Sequence, residues 1–279
     1  MLKETQGEDV YSKNYEESCT FMSLLKACAK NKDLCKGMLL HANIMKRVLL
    51  QKSLYVGSSL INMYAKFGFI EKAEEIFGDT FDRNVISWTT IIKGYVECGH
   101  CEQALRCFEQ MQCEGISPNA ITYVCLLSAC GSIGAITKGQ EICHEIDRQG
   151  LLERDHLVGN AIVDMYARCG ELGIAQQVLE ELPERNVASW NAMISTYVEF
   201  EQVDSALRLF NHMLKEGVSP DVWTFVITLQ ACCILADKEE SILVDSHFIK
   251  PICLDVVCAI HDNVEQNGFA SHIFVGNSL

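Results

Sequence analysis

An all-α solenoid of tandem helix-turn-helix repeats is the fold class predicted for this 279-residue chain, and three observations predict it. Val85–Asn119 returns as Val187–Asp221, offset by 102 residues without a gap and identical at 16 of 35 positions; self-similarity of this kind marks a repeat architecture. Within each copy, apolar residues recur at helical spacing. The chain is 49% apolar with only 4 prolines, enough for a packed helical body, and its strand signals are weak.

In the first copy Trp88, Ile91, Ile92 and Tyr95 fall at i, i+3, i+4 and i+7, one apolar helix face. Ser87, one residue earlier, suits an N-cap. Gly99 interrupts, and Ala104, Leu105, Phe108 and Met111 form a second face that Gly115 and Pro118 close. Two helices this short cannot bury their faces alone, so they must stack on neighbouring repeats.

In order, the sequence divides into a polar segment at 1–17 without clear periodicity, expected to be an irregular end, and then units at 18–53, 54–84 and 85–119, of 36, 31 and 35 residues. The triplet repeats as 120–155, 156–186 and 187–221. Landmarks align across it: Gly57 with Gly159, Met63-Tyr64-Ala65 with Met165-Tyr166-Ala167, and Gly68 with Gly170. A third long unit occupies 222–272 and is about 15 residues too long. The surplus falls near 241–258, where Pro251 is unsuited to a helix interior. It reads either as an insertion that loops out or breaks the repeat, or as a scar of how the coding sequence was joined. Residues 273–279 look like a repeat cut off after two turns, and the acidic N-terminal stretch lacks the pattern of a signal or transit peptide.

Charge and cysteine content narrow the function classes. A net charge of −14 argues against nucleic-acid binding by bulk electrostatics. Any such site must be a local groove that draws much of its affinity from the bases. No apolar run approaches the roughly 18–20 residues of a membrane span. Of the 15 cysteines, Cys28, Cys130 and Cys232 stand 102 residues apart as one core position seen three times, so free thiols in a reduced compartment are expected rather than a disulfide framework. Met63, Met111, Met165 and Met213 are likewise repeat-core residues.

Two catalytic patterns fail on context. Cys98-Gly99-His100-Cys101 has the form of a disulfide-exchange motif, but it sits in the turn between repeat helices and its 102-offset cysteine positions are Phe200 and Val203. His100-Cys101-Glu102 matches half of a zinc-deaminase signature, whose P-C-x-x-C partner is missing. Neither a cofactor nor a metal is called for.

Rotating helical pairs of 36, 31 and 35 residues resemble the plant pentatricopeptide repeat proteins of the PLS class. The likeness rests on LLKAC and LLSAC in the long units, LYVGSSLINMYAKFG and HLVGNAIVDMYARCG in the short ones, and SWTTIIKGYV and SWNAMISTYV in the 35-residue ones. It covers 18–279 apart from the surplus segment, and the fixed 34-residue signature of tetratricopeptide repeats is absent.

The resemblance implies a right-handed solenoid that binds single-stranded RNA, each repeat facing one base. The implied base-selecting pairs are the fifth and last residues of each repeat: Ser58 with Asn84, Thr89 with Asn119, Asn160 with Asn186, and Asn191 with Asp221. A terminal Asn can donate to a ring nitrogen of adenine or cytosine, and a terminal Asp can accept from the N–H of uracil or guanine. A small fifth residue leaves room for a purine, while Asn suits a pyrimidine. The implied bases are A, A, C or U, and U, giving 5′-A-A-n-(C/U)-U-3′. The long units, with Met22 and Ser53 and with Val124 and Asp155, leave their bases open.

Base-flanking second residues are implied at Tyr55, Ile86, Ile121, Leu157, Ala188 and Trp223. The resemblance also implies a mitochondrial or chloroplast location and a role in transcript processing or editing, with editing or processing factors supplied in trans and no catalytic residue in this chain. A protein–protein interaction scaffold is the alternative, and the acidic balance is its best argument.

Overall fold

The computed structural model describes residues 4–47, 49, 53–80, 83–152, 154–238, 242–244 and 247–249. The chain forms two compact units, Met1–Ile133 and Gly134–Leu279. The first holds helices α1 (Glu4–Asn31), α2 (Leu34–Lys46), α3 (Leu54–Lys66), α4 (Ile70–Gly78), α5 (Val85–Glu97), α6 (Cys101–Cys113) and α7 (Ala120–Ile133). The second holds α8 (Ile136–Arg148), α9 (His156–Arg168), α10 (Leu172–Glu181), α11 (Val187–Glu199), α12 (Val203–Lys215) and α13 (Val222–Lys238). Displaced by 102 residues, α2, α3, α5 and α6 have the same bounds as α8, α9, α11 and α12. The chain is thus a helical repeat protein.

The first helices of successive repeats pack side by side, α1 on α3, α3 on α5 and α5 on α7 in one unit, and α9 on α11 and α11 on α13 in the other. Helices α1, α3, α5, α9 and α11 also pack on the second helices of their own repeats. The predicted faces form this core: Trp88, Ile91 and Ile92 are buried, as are Ala104, Phe108 and Met111. Leu105 is only partly covered. A tyrosine near the end of the first helix reaches the second helix of the preceding repeat: Tyr64 to His41, Tyr95 to Glu74 and Tyr197 to Gln176, at 2.7–2.9 Å. Tyr166 bonds Cys143 in the same way, and burial above all pushes that thiol up to about 11. The described cysteines are thiols, with no disulfide among them.

Three expectations need adjustment, and one helix is longer than its counterpart. Ser87 is not the N-cap of α5. That helix starts at Val85 with Asn84 as its cap, and Ser87 is the third helical residue, closing a capping box. The apolar periodicity starts at Trp88, but the backbone turn begins where the first side chain can accept an amide.

At the N-terminus, α1 runs unbroken from Glu4 to Asn31, so the polar stretch before Ser18 is helical rather than irregular. Its glutamate, glutamine and lysine residues are good helix formers without needing an apolar stripe. α13 outruns its counterpart α7 by three residues. Gly134, which stops α7 at φ +66°, is replaced by Ala236, a helix former.

Finally, Ile242–Val244 (β1) pairs antiparallel with His247–Ile249 (β2), with Ile242 opposite Ile249. This ribbon of mostly β-branched and aromatic residue types is the one departure from all-α structure among the described residues. Most of the surplus near 241–258, and all of 273–279, lie outside the described residues.

The turns give one test of the repeat logic. Lys32 ends α1 at φ +55°, where its counterpart is Gly134. The left-handed conformation costs a side-chain-bearing residue about 1–2 kcal/mol, partly offset by the extra unfolded-state freedom of glycine. Lys32→Gly is therefore expected to raise unfolding stability by about 0.5 kcal/mol, read from denaturant melts. A loss of stability would mean that Lys32 is held there by something other than the turn.

Candidate nucleic-acid interface

The last residue of each short or 35-residue unit is the N-cap of the helix that follows, and this fixes its side-chain orientation. Asn84 Oδ1 accepts from the amides of Ile86 and Ser87 at 3.0 and 3.1 Å. Asn186 Oδ1 accepts from Ala188 and Ser189 at the same distances. Asn119 and Asp221 accept through Oδ1 from the amides of Thr122 and Thr224, at 2.9 and 2.8 Å. A capping oxygen must face the helix amides, which assigns each asparagine's flip and leaves its Nδ2 pointing away. Asp221 correspondingly keeps Oδ2 outside the cap.

The fifth residues stand behind these caps. Thr89 and Asn191 are buried, and Ser58 is buried as well. Asn160 Nδ2 donates to Asn186 Oδ1 at 3.3 Å, and Asn191 Nδ2 donates to Asp221 Oδ1 at 3.0 Å. Thr89 Oγ1 lies 2.7 Å from Thr122 Oγ1, which is itself 3.0 Å from Asn119 Oδ1. Asn160 with Asn186 and Asn191 with Asp221 are thus joined directly, and Thr89 with Asn119 through Thr122. Burial pushes the Asp221 carboxyl up, but bonds from the Thr224 amide and hydroxyl, Asn191 and the Trp223 amide outweigh it and hold the group below the usual range. Asp221 is accordingly anionic at neutral pH, at a helix N-terminus that favours negative charge.

The second residues of the same helices point the other way. Tyr55, Ile121, Leu157 and Trp223 are 52–56% exposed and Ile86 39%; Ala188 is exposed too. Recurrent large apolar side chains in water, two residues beyond a polar cap, fit a flat ligand with an apolar face and a polar edge.

In the second unit these parts meet. An open groove of about 610 Å3 is lined by Ala188, Asn191, Asp221 and Trp223, with Arg168 and Glu199 at its side. Arg168 pairs with Asp164 at 3.0 Å, so its charge is partly spent.

The sequence reading missed Thr122 and Thr224, although the N-x-x-T and D-x-x-T spacing of a capping box was present. It also missed Arg168. The CGHC segment holds no activated thiol at Cys98. Burial, then the carboxylates of Glu97 and Glu71, push Cys98 up, and its Sγ donates to the Ala65 carbonyl at 3.4 Å. Among the described residues no three potential metal ligands cluster, and no helix is long and apolar enough to cross a membrane.

Comparison with known proteins gives a consistent picture. A family model described as PPR repeat family matches residues 83–132 and 185–234, and one described as PPR repeat matches 58–85 and 160–187. Among Arabidopsis thaliana proteins, the chloroplastic pentatricopeptide repeat-containing protein At4g18520 is 34% identical over 93% of this chain and 39% of its own length. The chloroplastic CRR2 is 38% identical over 76% of this chain and 33% of its length. The mitochondrial At3g09040 is 34% identical over 97% of this chain and 25% of its length. The chain thus spans a quarter to two fifths of the relatives it matches. Among solved structures, the pentatricopeptide repeat protein PPR10 in complex with an 18-nt psaJ RNA element superposes with a TM-score of 0.66 at 17% identity, over 88% of this chain and 35% of that one. At that identity the likeness is one of fold.

Proposed function

Because this chain belongs to the pentatricopeptide repeat proteins, we propose that it binds single-stranded RNA selectively, one base per repeat, through the fifth-and-last pairs. The observation that carries this reading is the division of labour within each terminal side chain. Oδ1 is consumed by the helix cap, and a single donor (Asn84, Asn119, Asn186) or acceptor (Asp221) is left over. A leftover donor suits the ring-nitrogen acceptor of adenine or cytosine, and a leftover carboxylate oxygen suits the N3–H of uracil. The exposed second residues supply faces for the bases, where stacking is worth roughly 1–3 kcal/mol each.

An organellar location, a PLS-class assignment and a role in transcript processing or editing with factors in trans accompany this proposal. The names of the chloroplastic and mitochondrial relatives support the first of these. A protein-binding scaffold has one feature in its favour: Met38, Leu39 and Met45 stand exposed on α2, where α8 carries Gln140, Glu141 and Asp147.

The test is binding to a short RNA containing AAnCU, against a scrambled strand and its DNA version at moderate salt. Selective binding of the designed RNA, about thirtyfold or more over the scramble, is expected if each of the four matched bases adds one hydrogen bond of at least about 0.5 kcal/mol. Equal or absent binding would refute RNA readout and leave the scaffold reading.

A further inference from the structure

We propose that the third residue of a repeat sets how sharply the preceding repeat discriminates its base. Thr122 and Thr224 act as positioning residues that lock the pair in front of them, while Ser189 leaves its pair loose. The inference rests on base readout by the fifth-and-last pairs.

The geometry around Thr224 is a closed ring. Thr224 Oγ1 accepts from the Asp221 amide at 3.1 Å, and its one proton lies within reach of both Asn191 Oδ1 at 2.7 Å and Asp221 Oδ1 at 2.8 Å. Asn191 returns a bond from Nδ2 to Asp221 Oδ1 at 3.0 Å, and the Thr224 amide donates to that same oxygen at 2.8 Å. The two selecting side chains have one orientation each: the Asn191 carboxamide cannot flip, and the Asp221 carboxylate cannot rotate without breaking bonds at both ends. Oδ2 is therefore aimed.

At the equivalent junction in the first unit, Thr89 gives its proton to the Val85 carbonyl at 2.6 Å. Thr122 can then donate to Thr89 Oγ1 at 2.7 Å while lying 3.0 Å from Asn119 Oδ1. A threonine at the third position joins fifth and last residues at both 35-to-long junctions.

The short-to-35 junction of the second unit differs. Ser189 turns its hydroxyl back to the Asn186 carbonyl at 2.8 Å. Behind it Asn160 Oδ1 is buried and finds no donor among the described residues, and the Asn160–Asn186 bond is long at 3.3 Å. Ser87 likewise spends its hydroxyl on the Asn84 backbone. Threonine has fewer accessible rotamers than serine, so its γ-methyl keeps Oγ1 aimed across the junction. The same positions thus carry a stiff coupling in one class of repeat and a slack one in the other.

The experiment compares RNAs that differ at one base. The wild-type chain is measured against AAnCU and AAnCC, then Thr224→Val and Thr224→Ser are measured on the same two strands, with thermal melts to confirm folding. Thr224→Val should cut the U-over-C preference about fivefold, the worth of one oriented hydrogen bond, and Thr224→Ser should retain much of it. In the opposite direction, Ser189→Thr should sharpen the preference at the base facing 156–186 by about two- to fivefold, measured with AAnCU against AAnAU.

A Thr224→Val chain that loses affinity equally for both strands would reduce Thr224 to a structural role and overturn the proposal. If that variant does not fold, the Ser189→Thr arm decides: an unchanged ratio overturns the proposal. A wild-type chain with no preference fails at the earlier step, base readout itself.

Discussion

Asp221→Asn is expected to turn the repeat at 187–221 from uracil to cytosine, shifting the relative affinity for AAnCU and AAnCC by about tenfold or more. The argument is one of hydrogen-bond sign. The cap at α13 needs an oxygen facing the Thr224 amide, and Asn supplies it as readily as Asp. Once Oδ1 is committed, the outward atom is an NH2 in the variant where the wild type has a carboxylate oxygen. An outward acceptor meets the N3–H of uracil; an outward donor meets the bare N3 of cytosine. Each protein then leaves a buried donor or acceptor unpaired against the wrong base, which is where most of the discrimination arises.

Asn84, Asn119 and Asn186 already stand as caps at equivalent positions, so the substitution is compatible with the fold. Paired titrations of the two RNAs measure the switch, and an unchanged preference would remove Asp221 from base selection. The protonation argument gives a companion control. The carboxyl is held below its ordinary value, so the stabilisation it gains on folding is present above the unfolded value near 3.9 and is lost as pH falls through the lower folded value. Preference for uracil should therefore be flat from pH 7 to pH 5.

Much of this is legible in the sequence. The 102-residue offset set the repeat boundaries, and the helices begin at Leu54, Val85, Ala120, His156, Val187 and Val222, the first residues of the units read from sequence. Trp88, Tyr95 and Met111 announced the buried faces by spacing alone, because a helix has one period and one core to meet.

The Thr224 ring and the orphaned Asn160 oxygen were not legible. Both depend on which way a hydroxyl or carboxamide turns, and Ser and Thr look interchangeable in a repeat pattern. The helical N-terminal stretch and the β1–β2 ribbon were missed for a related reason: neither follows the repeat, and local propensity decided them. The acidic total charge likewise hid the site, since a net value says nothing about one groove where Arg168 is neutralised by Asp164 and the recognition atoms belong to amides and a single carboxylate.

Trp190→Ala is expected to cost about 3–5 kcal/mol of unfolding free energy in the second unit, the range for deleting a fully buried large aromatic. Trp190 is 1% exposed in α11, and its ring meets the His212 ring edge-on at 5.2 Å between centroids. Its counterpart Trp88 meets Phe77 in the same way at 4.7 Å. The indole also carries a liability: Nε1 of both tryptophans is buried without an acceptor among the described residues. A buried donor left unpaired costs about 1–3 kcal/mol.

Trp190→Phe removes that donor along with part of the ring, so the two effects oppose each other, and the phenylalanine variant should lose well under half of what the alanine variant loses. Denaturant melts of the two variants separate packing from polarity. A small loss for alanine would show that the site collapses around the gap. Equal losses for both would mean that the indole nitrogen has a partner in solution. Because Trp190 lies between Ser189 and Asn191, at the start of the helix that Asn186 caps, the alanine variant should also blunt base preference, and phenylalanine should restore it.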